Sequence, residues 1–139
     1  MSGLSVPSRV IAGLIALAAI SPLAVLATLA PDSSGRGTHT QLGLASCGFR
    51  SSHGYDCPTC GFTTASTLAA HGHVISSIVT HPAAGVTSVA LAMTFWVGLF
   101  TAATGSPVVV MLRGLWRPTT IVLIALLFAG SWAYRVAYW

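Results

Sequence analysis

The sequence predicts an all-α membrane protein, with about three transmembrane helices and a short amphipathic or interfacial helix that follows a cysteine-rich loop. Three observations predict it. Hydrophobic residues make up 54% of the 139 and charged residues only 6%, whereas a soluble domain carries roughly 25% charge. Apolar stretches at about 10–30, 83–103 and 119–138 each approach the ~20 residues that a helix needs to cross a hydrocarbon core. All three cysteines and all five histidines fall between 39 and 81, outside those stretches. The chain therefore reads as one membrane domain, 1–139, with an extramembrane loop over 31–81.

The first stretch, 10–30, is uncharged and is interrupted only by Ser21, Pro22 and Thr28. Pro22 lacks a backbone N–H and predicts a kink. A cleaved signal over 1–27 is the competing reading, because Val25-Leu26-Ala27 resembles a cleavage site. The apolar run exceeds the usual h-region of roughly 7–15 residues, and Arg9 is the only preceding charge. An uncleaved anchor is the expectation.

The second stretch opens at His81-Pro82, where proline suits a first helical turn and His81 is expected to cap it. The third meets Arg135 among Trp132, Tyr134, Tyr138 and Trp139. That composition suits an interfacial aromatic belt with a snorkelling arginine. Between these spans, the run Pro107 to Leu112 is too short to cross and is expected to lie at the interface.

Arginine placement bears on orientation. Arg9, Arg113 and Arg117 flank spans on one side, while Arg36 and Arg50 sit near Asp32 and Asp56 within the long loop. This favours a multi-pass protein of the cell (inner) membrane, with the cysteine loop on the outer, periplasmic side. The net charge of +4 does not mark a nucleic-acid binder, since the arginines stand singly and form no basic face interleaved with aromatics. The lipid bilayer is the expected partner, with other membrane proteins next.

Chemistry concentrates in the loop. Cys57-Pro58-Thr59-Cys60-Gly61 spaces two thiols for one tetrahedral metal at about 2.3 Å or for a reversible disulfide. Cys47 lies ten positions upstream of Cys57. A helix is predicted from Gly61 to His71, extending to Thr80 unless Gly72 breaks it. Phe62, Ala65, Leu68, Ile75 and Ile78 form its apolar stripe. His71 would stand roughly 16 Å along that helix from Cys60, too far for a shared metal.

Three readings follow. In the first, the loop is structural or docks to a partner; no Glu, no Lys and no recognisable catalytic set occurs in the chain, so an enzyme is not the expectation. In the second, Cys57 and Cys60 form a thiol–disulfide redox pair, with Cys47 as a further disulfide candidate. Their position before a helix N-terminus would lower the pKa of Cys57. In the third, Cys47, Cys57, Cys60 and His53 bind zinc or another thiolate-bound metal, with His39 the next ligand candidate.

These residues resemble a family of small bacterial membrane proteins classed as a domain of unknown function. Its signature is a cysteine, about ten residues, then Cys-Pro-x-Cys-Gly-x-Thr-Arg-Ala, a Gly-Asp, and an Asn-Pro that opens a span. The matching positions are Cys47, Cys57-Pro58-Thr59-Cys60-Gly61-Phe62-Thr63, Ala65, Gly72 and Pro82. Thr64, His73 and His81 stand where the family has Arg, Asp and Asn, so any charged pair formed by that Arg and Asp is missing. The resemblance implies a membrane location and an ordered cysteine motif, and no reaction.

Overall fold

A computed structural model describes residues 4–106, Val108 and 117–139. The expectation for the run Pro107 to Leu112 lies largely outside the described residues. All regular structure among them is helical. Three helices are long and apolar enough to cross a membrane: α1 (Val6–Leu26), α5 (Pro82–Thr104) and α6 (Pro118–Tyr138). The loop between α1 and α5 carries a 3-10 turn (Thr38–Leu42) and three short helices, α2 (Gly48–His53), α3 (Phe62–Ala70) and α4 (Val74–Thr80).

Each long helix starts at proline chemistry. A proline stands in the first turn of α1, α5 and α6, where its missing N–H costs nothing. Consequently α1 begins and ends about four residues earlier than the apolar run 10–30 alone indicates. Pro22 lies inside α1 and deprives the Ala18 carbonyl of its usual donor. The Ser21 hydroxyl donates to that carbonyl at 3.0 Å, so the defect is repaired within the helix. Such repair is what permits proline in a lipid-facing segment.

α1 and α5 form the close pair. Ala12, Ala16, Ala19 and Leu23 are buried along α1, and Gly98 of α5 meets the Ala12 carbonyl so closely that a Cβ there would sit 2.9 Å from it. Lipid tails are as apolar as side chains, so helices in a membrane associate by close backbone approach over small residues. Arg9 fastens the far end of the pair, donating to the Ala102 and Ala103 carbonyls at 2.9 and 2.7 Å. By contrast α6 is mostly exposed along its apolar length, with Ile121, Val122, Leu123 and Ile124 all facing outward. It joins the rest near the loop, where the Ser131 hydroxyl accepts from the Ala83 N–H at 2.8 Å.

The loop is folded against the helix ends. Gly72, at φ +84°, separates α3 from α4. The predicted apolar stripe is buried only in part: Ala65 is buried, together with Thr64, Ser66 and Thr67, while Ile75 and Ile78 are exposed. The hydroxyls of Thr38 and Thr64 pair at 2.8 Å in that interior. The Thr67 and Ser77 hydroxyls are buried there without a partner among the described residues.

Candidate functional site: three thiols beside an arginine-bound carboxylate

The Cys-Pro-Thr-Cys segment is a tight turn closed by the Cys60 N–H on the Cys57 carbonyl and the Phe62 N–H on the Thr59 carbonyl, both at 3.0 Å. Gly61 follows at φ +82°, a left-handed conformation that costs a side-chain-bearing residue about 1–2 kcal/mol. Space forbids a side chain as well. A Cβ on Gly61 would lie 2.8 Å from the Gly35 carbonyl and 2.9 Å from the Arg135 guanidinium carbon.

Cys47 immediately precedes α2, and that short helix brings it back onto the turn. The three sulfurs lie within 4.8 Å of one another. Cys60 is in the middle, 2.7 Å from Cys57 and 3.4 Å from Cys47. All three are free thiols; Cys60 is buried, and Cys47 and Cys57 are half-buried.

Partial burial opposes ionisation of Cys57. Hydrogen bonds from Cys60, Thr59 and Cys47 outweigh it and bring that thiol down from about 9 to about 7. Burial and the partnership with Cys57 push Cys60 up to about 12. The lowering of Cys57 has the direction expected from the sequence, with hydrogen bonds from neighbouring side chains as its causes. Gly61, in its left-handed conformation, is the N-cap of α3 and separates that helix from the thiol turn.

Behind the turn lies a charge cluster that sequence reasoning missed. Asp56, buried, receives Arg36 at 3.2 Å and Arg50 at 2.8 Å on one oxygen and Arg135 at 2.5 Å on the other. Arg135 does not snorkel outward; its side chain is fully buried. It also donates to the Thr80 carbonyl at 3.0 Å and lies over the Trp139 ring at 4.7 Å. Trp132 donates from Nε1 to the Asp56 carbonyl at 3.0 Å. Part of the expected aromatic belt is therefore turned onto the loop. The available signal was Asp56 itself, one of two acids in the chain and adjacent to Cys57.

The histidines disperse. His81 accepts the Ala84 N–H on Nδ1 and donates from Nε2 to the Pro58 carbonyl at 3.2 Å. It caps α5 and pins the thiol turn to it. Burial, with Arg135 nearby, holds its imidazole below the usual range. His53 stacks on Phe49 at 4.4 Å and donates to that residue's carbonyl, so the converging sulfurs do not include it. His39 donates from Nε2 to the Ala45 carbonyl. His71 donates to the Leu29 carbonyl at 2.9 Å, tying the end of α3 to the chain beyond α1. His73 precedes α4 without capping it through its side chain.

The sulfurs line a cavity of about 770 Å³, together with Arg36, Arg50, His39 and the apolar Leu44, Phe62 and Phe128. Chemically, three converging thiols can ligate one thiophilic ion or exchange disulfides among themselves.

Residues 47–96 match the model of a family described as a protein of unknown function (DUF2752). The matched span takes in all three cysteines, Asp56, α3, α4 and the first part of α5, in keeping with the resemblance carried by the cysteine motif. Neither the curated proteins nor the solved structures yield a match.

Proposed function

We propose that the loop is a three-thiolate metal centre carried on a multi-pass membrane protein, with Cys47, Cys57 and Cys60 as ligands for zinc or a similarly thiophilic ion. The convergence of three sulfurs within 4.8 Å carries this reading, because a disulfide staple needs only two. Sulfurs about 2.3 Å from a tetrahedral ion stand roughly 3.8 Å apart, a small adjustment from the spacing here. The surrounding arginines outnumber Asp56 and favour the negative charge of bound thiolates. A bound cation would supply what Cys60 lacks, since its thiol otherwise holds its proton to about pH 12. A water or a non-protein ligand drawn from the cavity completes the coordination; His53, stacked on Phe49, takes no part.

The test is elemental analysis of protein purified without added metal, combined with mass mapping of the thiols. About one equivalent of metal per chain is expected, falling with Cys57→Ser. Less than about a tenth of an equivalent in the fully reduced protein sinks the idea.

A second reading, a membrane dithiol, draws on Cys60 standing between two other thiols. Oxidation of Cys57 and Cys60 to a disulfide would release two protons and pass two electrons to a membrane acceptor of the quinone class. A potential well below about −300 mV would mark an inert staple instead.

We read the loop as lying on the outer face of the inner membrane. Arg9, Arg113 and Arg117 flank the spans on the opposite side and would direct it inward, while Arg36, Arg50 and Arg135 are drawn together on Asp56 within the folded loop. An impermeant maleimide added to intact cells should label Cys57, in a metal-depleted sample, and not a cysteine placed at Ser106. The reverse pattern inverts the topology.

A further inference from the structure

The cavity beside the thiols has its own electrostatic character. Arg36 and Arg50 are in its wall, and neither of the chain's two acids, Asp32 and Asp56, lines it. Three guanidiniums meet a single carboxylate behind that wall, so the local charge is positive by two. Among the described residues, Arg50 bonds only through Nη1, and its side chain is 43% exposed. Its Nε and Nη2 donors therefore remain free.

Another part of the cavity wall is apolar. Phe62 and Phe128 stack at 6.1 Å, and Leu44 flanks the opening. Phe128 lies ten residues before Tyr138 on α6, about 15 Å along the helix at 1.5 Å per residue. The cavity wall thus joins two cationic side chains of the loop to an aromatic pair, one of whose rings belongs to the apolar helix α6. A volume of about 770 Å³ lies within the usual range for a site that holds a small organic group.

We infer that this cavity binds an anionic lipid of the surrounding bilayer, its phosphate at Arg50 and Arg36 and the start of an acyl chain against Phe62 and Phe128. The inference rests on the cavity's charge and shape and not on the metal reading. A phosphate is the anion that free guanidinium donors bind best, and a bilayer lipid brings the apolar body that a soluble anion lacks. Zwitterionic lipids carry a cation that the same guanidiniums repel.

The full chain in detergent, titrated with phosphatidylglycerol or phosphatidylcholine and examined by native mass spectrometry, provides the test. One phosphatidylglycerol per chain should be retained at about tenfold lower concentration than phosphatidylcholine. Arg50→Gln should weaken that retention about fivefold or more, while Arg50→Lys keeps most of it. Leu44→Asp, at an exposed loop position, should place a carboxylate at the opening and lower retention without touching Asp56. Equal retention of the two lipids, or no effect of either Arg50→Gln or Leu44→Asp, overturns the assignment. Displacement of the lipid by millimolar inorganic phosphate overturns it too, by assigning the two arginines to a soluble anion.

Discussion

At Gly61 two demands coincide, a left-handed backbone and the absence of any atom between the thiol turn and Arg135. Gly61→Ala is therefore expected to destabilise by more than the about 1–2 kcal/mol of the conformational term, measured by unfolding in mixed micelles. Asp56 supplies a second contrast. Asp56→Asn leaves the fully buried Arg135 without its counter-charge, a loss of about 3–5 kcal/mol. Arg50→Gln removes a partner that is 43% exposed and should cost under about 1 kcal/mol. Equal effects of the two would show that Arg135 does not depend on Asp56. The thiols make a third prediction, for the reduced, metal-free protein. Cys57 is lowered to about 7, so its contribution to stability is complete above about pH 9 and is lost as pH falls through 7. Cys60 is raised to about 12, so its contribution is present below about 9 and is lost as pH rises towards 12. His81, lowered by burial, adds a loss below its ordinary value of about 6.5. Stability should peak near pH 9, and Cys57 alkylation should be half-maximal near pH 7. An alkylation midpoint above 8.5 would remove the hydrogen bonds credited with lowering it.

Among the elements, the α1–α5 contact is set by small residues, and its sensitive point is Gly98. Gly98→Leu must push α5 away from the Ala12 carbonyl and Ala16, an overpacking of about 1–3 kcal/mol. The thermal midpoint in detergent measures it, and an unchanged midpoint would mean that this contact is not close in the membrane. The elements also show what was legible in the sequence. The long helices were, because apolar length and a leading proline are local signals. The break at Gly72 was legible for the same reason. The buried face of α3 was legible only in part: the stripe includes the buried Ala65 but not Thr64, Ser66 or Thr67. Thr64 is inside with its hydroxyl on that of Thr38, whereas the Thr67 hydroxyl is buried without a partner among the described residues.

Across the whole molecule, the thiol centre was half legible. The Cys-x2-C spacing and Gly61 announce a turn, and the presence of Cys47 announces a third sulfur. Arg36 and Arg50 stand near Asp56 in the sequence, but nothing local announces Arg135, which meets that carboxylate only through the fold. The histidines are placed by the fold in the same way. His53 is near the cysteines in sequence but is taken up by Phe49, while His81, read as a simple cap, also holds the thiol turn.

The burial of Arg135 has a consequence for how the protein is made. An arginine inside a membrane segment costs up to about 2.5–3.5 kcal/mol at the bilayer centre, and α6 has few other buried residues to offset it. A loop already shaped around Asp56 would then act as the receptor that lets the last segment settle in the bilayer. Biogenesis would run from loop to final helix. Asp56→Asn should accordingly yield chains whose C-terminal segment is open to protease while α1 and α5 remain protected. A fully protected α6 in that variant would show that the segment settles without its receptor.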